Sequence, residues 1–417
     1  MNKTHFRFLL SAAFVAVAAV VQAEALRLVS PRQDEVVALV PGEFKDFLTK
    51  PRETRKEIFA DKDARMKMHK TFPRNKPKAV LFAWTGVTGG ELTIERKADG
   101  KRFFSAAIPS NTYALVNFEI AREYVWRVKA ADGQVAEGRF STEDFAPRII
   151  DIPGVPNVRD LGGRVGLGGR RVKQGMVFRS AGLNNNANIN YKQAEVLDMY
   201  KKGTLLTDVP EKSREAAEKI KKYLDAGKQS KADLKHLVKK WCVGATRMTP
   251  ETVAWANAFF GFKTDLDLRT DRECYLMTGS PLGPSVRWVQ IPFSSYAGMG
   301  NVERGKPAFA KCFRLFLDEK NYPIDFHCIA GADRTGSLAC TLNGLLGVAE
   351  EELYRDWEVT GIVNPNMNFV HKPRFDKLIA VFDKFEGATL NERIEKYVLS
   401  CGITADEIAR FRSLMLE

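Results

Sequence analysis

Residues 327–336 read HCIAGADRTG, directly after an apolar run, YPIDF, and directly before another, SLACTLNGLLGV. The first run has strand length, the second helical length, and the glycine-containing loop separates them. A strand that passes through a tight loop into a helix is the repeating step of an alternating layer fold. FKTDLDLRTDRE (262–273) and VRWVQIPF (286–293) read as further strands, and helical periodicity fills much of the chain to Glu417. The expectation is an α/β domain with a central, mostly parallel sheet flanked by helices.

The loop composition carries a specific chemistry. Removing phosphate from an ester without metal needs a nucleophile that is anionic near neutral pH, donors fixed around the phosphoryl oxygens, and a proton for the leaving group. Cys328 stands where a strand ends and a helix begins. There the helix dipole and converging N–H groups lower a thiol pKa from about 8.5. The N–H groups of Ile329, Ala330, Gly331 and Ala332 are placed to cradle a phosphate, and Gly331 lets the backbone turn. Arg334, six residues after Cys328, returns around the loop to hold two oxygens in a bidentate pair. Thr335 donates its hydroxyl to the sulfur, and His327 holds the loop by hydrogen bonds. The bland reading of one such cysteine is a buried structural thiol; the full constellation outweighs it. Neither a metal nor an organic cofactor is required.

With 417 residues, two domains are the natural expectation. Lys3 and Arg7 precede an uncharged run from Phe8 to Val21, and Val21-Gln22-Ala23 supplies a small-residue cleavage site, so residues 1–23 read as a secretory signal peptide. The run is short for a bilayer span, and no comparably apolar stretch follows. The expected mature protein is exported, periplasmic or secreted, with no stable membrane insertion. Removing Lys3 and Arg7 from 64 basic side chains leaves 62 against 51 acidic ones, a formal +11 that favours anionic partners. No nucleic-acid-binding signature accompanies that charge. The six cysteines are scattered without a CxxC pair, and the five histidines lack paired metal-ligand spacing, so zinc chemistry and a disulfide scaffold are not indicated.

From Leu26 to Phe145 the pattern is mostly period-two: KAVLFAW (78–84), ELTIERK (91–97), YALVNF (113–118) and EYVWRVKA (123–130). Such spacing predicts an all-β sandwich over 26–145, with Trp84 and Trp126 as core anchors. A charged helical insertion, residues 43–70, reads as a solvated face. The closing EGRFSTED resembles the last strand of a fibronectin type III-like module, which implies a unit that docks on a protein or glycan. FAPRIIDIPGVP (145–156) links to the second domain, residues 150–417. The glycines at 162–169 miss the dinucleotide spacing, because Arg171 stands where the third glycine belongs, and read as a hairpin turn. Residues 184–247 turn helical and carry 14 Lys+Arg against 8 Asp+Glu, an insertion that reads either as a lid or as a peripheral ornament.

HCIAGADRTG matches the HCxxGxxRTG phosphate loop of cysteine-dependent protein tyrosine phosphatases. NVRDLGG (157–163), MVFRSAGL, DLDLRTDRE and GVAEEELYRDWEVTG resemble segments of the bacterial tyrosine/serine phosphatase subfamily, which includes dual-specificity and lipid-active members. There is no Trp-Pro-Asp sequence; the resemblance implies instead that Asp333, inside the loop, is the acid and then the base. Asp267 is a second catalytic candidate whose alternative role is to brace the loop. Asp160, Arg159, Arg179 and Arg269 are expected in bracing ion pairs, with Arg179 also a candidate for reaching substrate. Ala332 stands where phosphoinositide-active members often carry lysine, which argues against a lipid substrate.

Three functions follow: a tyrosine or dual-specificity phosphatase acting on a phosphorylated protein; a phosphatase for inositol polyphosphates, phosphoinositides or another small anionic phosphate ester; or a pseudo-enzyme that binds phosphate esters without turnover.

Overall fold

The computed structural model describes residues 25–71, 76–187, 193–209, 211–227, 242–271, 273–274, 277–363 and 374–417. The expected signal peptide, 1–23, lies outside them. Two compact units result: one up to Asp34 with Leu81–Tyr113 and Tyr124–Arg139, the other Glu35–Val80, Ala114–Glu123 and Phe140–Glu417.

The first unit is built on antiparallel ladders. Strand Gly90–Arg96 pairs with Arg102–Ile108 on one side and Glu123–Lys129 on the other. Alternation puts Leu92, Ile94, Tyr124, Trp126 and Val128 on a buried face. Phe82 meets Trp126 edge-on with centroids 5.2 Å apart, and Trp84 is buried as its spacing predicts.

The helices Gly42–Thr49, Arg52–Ala60 and Lys62–Thr71, expected as a solvated insertion among those strands, fall in the second unit. Phe44, Phe47, Leu48 and Phe59 pack there against Val359 and Ile362. Arg55 is fully buried and pairs with Glu358 and Glu351. The dense Lys/Arg background masks an apolar stripe at helical spacing.

The second unit centres on a five-stranded sheet, in the order Arg287–Gln290, Thr264–Asp267, Ile324–His327, Val177–Ser180, Arg159–Asp160. The first four strands are mutually parallel; Arg159–Asp160 is antiparallel to its neighbour. Ile324–His327 is the middle strand and buried along its whole length, as a parallel strand covered on both faces must be. Phe309, Phe313, Phe326, Leu342, Tyr397 and Phe411 share the larger core, and Phe178, Phe260, Phe262 and Leu282 a second one. Helix Pro250–Phe260 starts as its sequence predicts: Thr249 Oγ1 accepts from Thr252 N, Pro250 opens the helix, and Gly261 closes it at φ 69°. Val165 bridges Arg171, confirming the hairpin at 162–169.

Within 184–247, strand Asn184–Ala187 pairs antiparallel with Cys242–Thr246, and the helices Gln193–Lys201 and Glu211–Asp225 lie between them in sequence. Val196, Leu205, Ala217, Ile220 and Leu224 form a small separate core.

Candidate active site

The middle strand ends at His327, and Cys328 begins the loop that enters helix Asp333–Leu345. The site thus lies at the carboxyl edge of a parallel sheet, where open α/β folds bind ligands. Gly331 has φ 65°, and a β-carbon there would lie 2.5 Å from the Ser180 carbonyl oxygen. No other residue fits without moving the neighbouring strand.

Three consecutive loop carbonyls are bonded outward. Gly182 N donates to Ile329 O (3.0 Å), Asn157 Nδ2 to Ala330 O (3.0 Å) and Gly331 O (3.1 Å), and Arg179 Nη2 to Gly331 O (2.6 Å). A trans peptide directs the following N–H opposite its carbonyl, so the amides of 330, 331 and 332 face the concave side. The loop is a bowl of N–H groups because other residues hold its oxygens away.

Cys328 lies in that bowl. Burial pushes its thiol up, but the Arg334 charge, the Thr335 hydroxyl and the N–H groups of Thr335 and Ala332 outweigh it, and the pKa falls below the ordinary thiol value. Thr335 Oγ1 is buried with no other hydrogen-bond partner, which leaves its proton to the sulfur. Arg334 is oriented by Glu273: Nη1 donates to Oε2 at 2.6 Å and Nη2 to Oε1 at 2.9 Å. Thr270 N and Oγ1 both donate to Glu273 Oε2. The Thr270…Glu273 spacing, a capping-box pattern, was the available signal for this residue.

Asp333 sits on the first turn of the loop helix with its carboxylate partly exposed. Tyr296 OH donates to Oδ1 at 2.6 Å, and Arg374 Nη1 lies 3.4 Å from the same oxygen. Burial and the Asp333 charge push the Tyr296 hydroxyl far up, so it stays a donor. Tyr296 adopts φ 53°, a left-handed conformation that costs a residue of this kind about 1–3 kcal/mol. Its N–H donates to Ser337 Oγ (3.0 Å), and Trp357 Nε1 reaches its hydroxyl at 3.4 Å.

Asp267 differs from the catalytic candidate the sequence allowed. It is buried and accepts from Arg269 Nε (2.8 Å), Arg269 Nη2 (2.6 Å) and Cys274 Sγ (3.1 Å). Burial opposes its charge, but the nearby His327 and Arg269 cations hold it well below the usual carboxylate range. It stays ionised and has no proton to give; it braces. Arg179 is likewise no substrate contact. It is fully buried between Asp356 and the Gly331 carbonyl, so it shapes the loop from behind.

Asp356 collects Arg159, Arg164 and Arg179 on one buried carboxylate, and Arg159 also donates to Asn157. Asp160 pairs with Arg148 (2.7 Å) and caps Gly162 N and Gly175 N. His327 Nε2 approaches Asp265 at 2.9 Å without the alignment of a hydrogen bond, and Nδ1 lies 3.3 Å from Cys328 O. Burial disfavours the imidazolium, but Asp267 and Asp265 hold its pKa up at about 9. Asn157, Glu273, Tyr296 and Asp356 were not singled out from the sequence, although all but Tyr296 lie inside segments that drew attention. Among the described residues no group of three His, Cys, Asp or Glu side chains is placed to hold a metal ion. No helix among them is long and apolar enough to cross a membrane.

A lowered thiol thus lies in a bowl of amides beside a guanidinium fixed by Glu273. Comparison places it: the tyrosine phosphatase family model matches residues 150–202 and 242–417, and the chain belongs to that family. The gap between the two matched stretches falls inside the basic insertion, and the match begins only at residue 150. A Cupriavidus necator protein named "Putative tyrosine-protein phosphatase" is 27% identical over 219 residues, which cover 51% of this chain and 63% of that protein. The chain thus spans less than two thirds of that curated relative.

Proposed function

We propose that this protein is an exported phosphatase that hydrolyses phosphotyrosine, and other phosphate monoesters of similar reach, through a cysteinyl-phosphate. The observation that carries this reading is the Cys328 thiol, lowered inside a loop in which the carbonyls of Ile329, Ala330 and Gly331 are tied outward. Cys328 Sγ attacks phosphorus and forms the S–P bond as the P–O ester bond breaks. Asp333 gives its proton to the departing oxygen. Arg334 and the loop amides hold the equatorial oxygens as charge builds. Water then attacks phosphorus and passes a proton to the Asp333 carboxylate; the S–P bond breaks, phosphate leaves and the thiolate returns.

Export rests on the charged, apolar and small-residue segments of residues 1–23. The antiparallel ladders of the first unit, with Trp84 and Trp126 buried, support a fibronectin type III-like module that docks on a protein or glycan.

Phosphate release from phosphotyrosine peptide, phosphoserine peptide, phosphoinositide and inositol hexakisphosphate tests the substrate class. Cys328→Ser abolishes release while substrate still binds. Undiminished turnover in that variant rules out the mechanism.

A further inference from the structure

The second unit contains a pocket of about 450 Å³ lined by residues 150–156, Lys76 and Arg247. The short segment 181–183 is bonded both to the catalytic loop and to the pocket wall. Gly182 N donates to Ile329 O in the loop (3.0 Å), whereas Ala181 N donates to Pro156 O (3.0 Å) and Leu183 O accepts from Arg247 N (2.9 Å). The loop is thus held through Gly182, and the pocket wall through its two chain neighbours, Ala181 and Leu183. The wall is closely built: a β-carbon on Gly154 would lie 2.0 Å from the Arg247 carbonyl oxygen.

The charge inside this pocket is unbalanced. Among the described residues Asp151 is its one lining carboxylate, and it is paired with Lys76 at 2.9 Å. The Arg247 side chain makes one hydrogen bond, from Nε to Asn184 O (2.9 Å), and its Nη groups have no partner among the described residues. Burial and the positive charge of Arg269 disfavour its charged form. The Nη edge is not among the buried unsatisfied groups, so it faces solvent and is open to an anion that enters the pocket. Ala332 supplies no charge to the catalytic loop, and Arg334 pairs with Glu273; Arg247, whose backbone is tied to Leu183, adds a further cation beside the loop.

Building on the phosphotyrosine reading above, we propose that the Arg247 pocket receives the carboxylate of an acidic residue flanking the phosphorylated side chain of the substrate. The guanidinium edge matches a planar carboxylate bidentately. The Ile150, Ile152, Pro153 and Val155 walls suit the apolar stem of a Glu or Asp. The substrate class is therefore an acidic phosphotyrosine peptide.

The test is the ratio of kcat/KM for two phosphotyrosine peptides that differ only in Glu against Gln at the flanking positions. The native chain favours the acidic peptide about tenfold through KM, the size of one charge-assisted hydrogen-bonded contact. Arg247→Gln brings the ratio to about one, and Arg247→Lys restores part of it. A native ratio near one, or a ratio that Arg247→Gln leaves unchanged, overturns the proposal while the phosphatase reading stands. A third peptide carries phosphoserine at the flanking position; a gain there without one for Glu also overturns it, because the pocket then selects phosphate. If no phosphotyrosine peptide is hydrolysed, the parent reading falls and this inference with it.

Discussion

Two loops leave neighbouring parallel strands at the same edge of the sheet, and each carries a buried cysteine. Cys328 follows strand Ile324–His327 and is 2% exposed; Cys274 follows Thr264–Asp267 and is 3% exposed. Burial pushes both thiols up, yet one ends below its ordinary value and the other far above. Cys328 faces Arg334, a hydroxyl and two N–H groups at a helix start. Cys274 faces the Asp267 carboxylate, to which its own S–H donates. Burial is common to both, so the sign of the shift is set by whether cations and donors or a carboxylate surround the sulfur. Cys340, in the helix after the loop, goes the way of Cys274: burial pushes its thiol far up.

The largest expected break of this contrast comes from Arg334→Lys. A point charge replaces the fork that holds Glu273 and the substrate oxygens, and kcat/KM falls about 10³-fold. The pH midpoint of Cys328 alkylation by iodoacetamide moves up in the same variant; an unmoved midpoint shows that the amides alone lower the thiol. Next is Asp333→Asn, which slows hydrolysis of alkyl or phenyl phosphates about 10²-fold or more and p-nitrophenyl phosphate far less. Equal losses on both remove Asp333 as the acid. Tyr296→Phe should lower kcat about tenfold on the poor leaving groups with little change in KM, because the carboxyl loses the donor that aims it. Leaving-group dependence identical to the native chain makes the contact merely structural.

The smallest effect belongs to the other loop. Cys274→Ala leaves kcat/KM within about twofold, and in the native chain Cys274 resists alkylation at pH values where Cys328 is fully modified. A stability measurement probes the charge beneath both loops. His327, held at about 9, lies above its unfolded value of 6.5, so its contribution is complete below about pH 6.5 and fades as pH rises through 9. The melting temperature should drop between pH 7 and 9, and His327→Gln should flatten that slope.

The loop was legible because its nucleophile, turn glycine and guanidinium occupy one short contiguous stretch, where local spacing sets the geometry. The parallel strands and the helix Pro250–Phe260 were readable for the same reason: short-range periodicity and caps specify them. Arg179 shows the limit. An arginine beside a glycine-rich segment reads equally as a substrate clamp or a brace, and only Asp356, 177 positions later, decides it. Asn157 acts across 174 positions, Glu273 across 61 and Tyr296 across 37. The helices Gly42–Thr49 and Arg52–Ala60 were misread because their charge is legible in the chain, whereas the partner of their apolar stripe, Val359 and Ile362, is not.

The order of residues alone therefore determined which atoms can attack, donate and turn within HCIAGADRTG, since covalent neighbours cannot drift apart. The tertiary structure decided which charges face those atoms. A pKa depends on distances of a few ångströms to groups contributed from everywhere in the chain, and folding is what sets those distances.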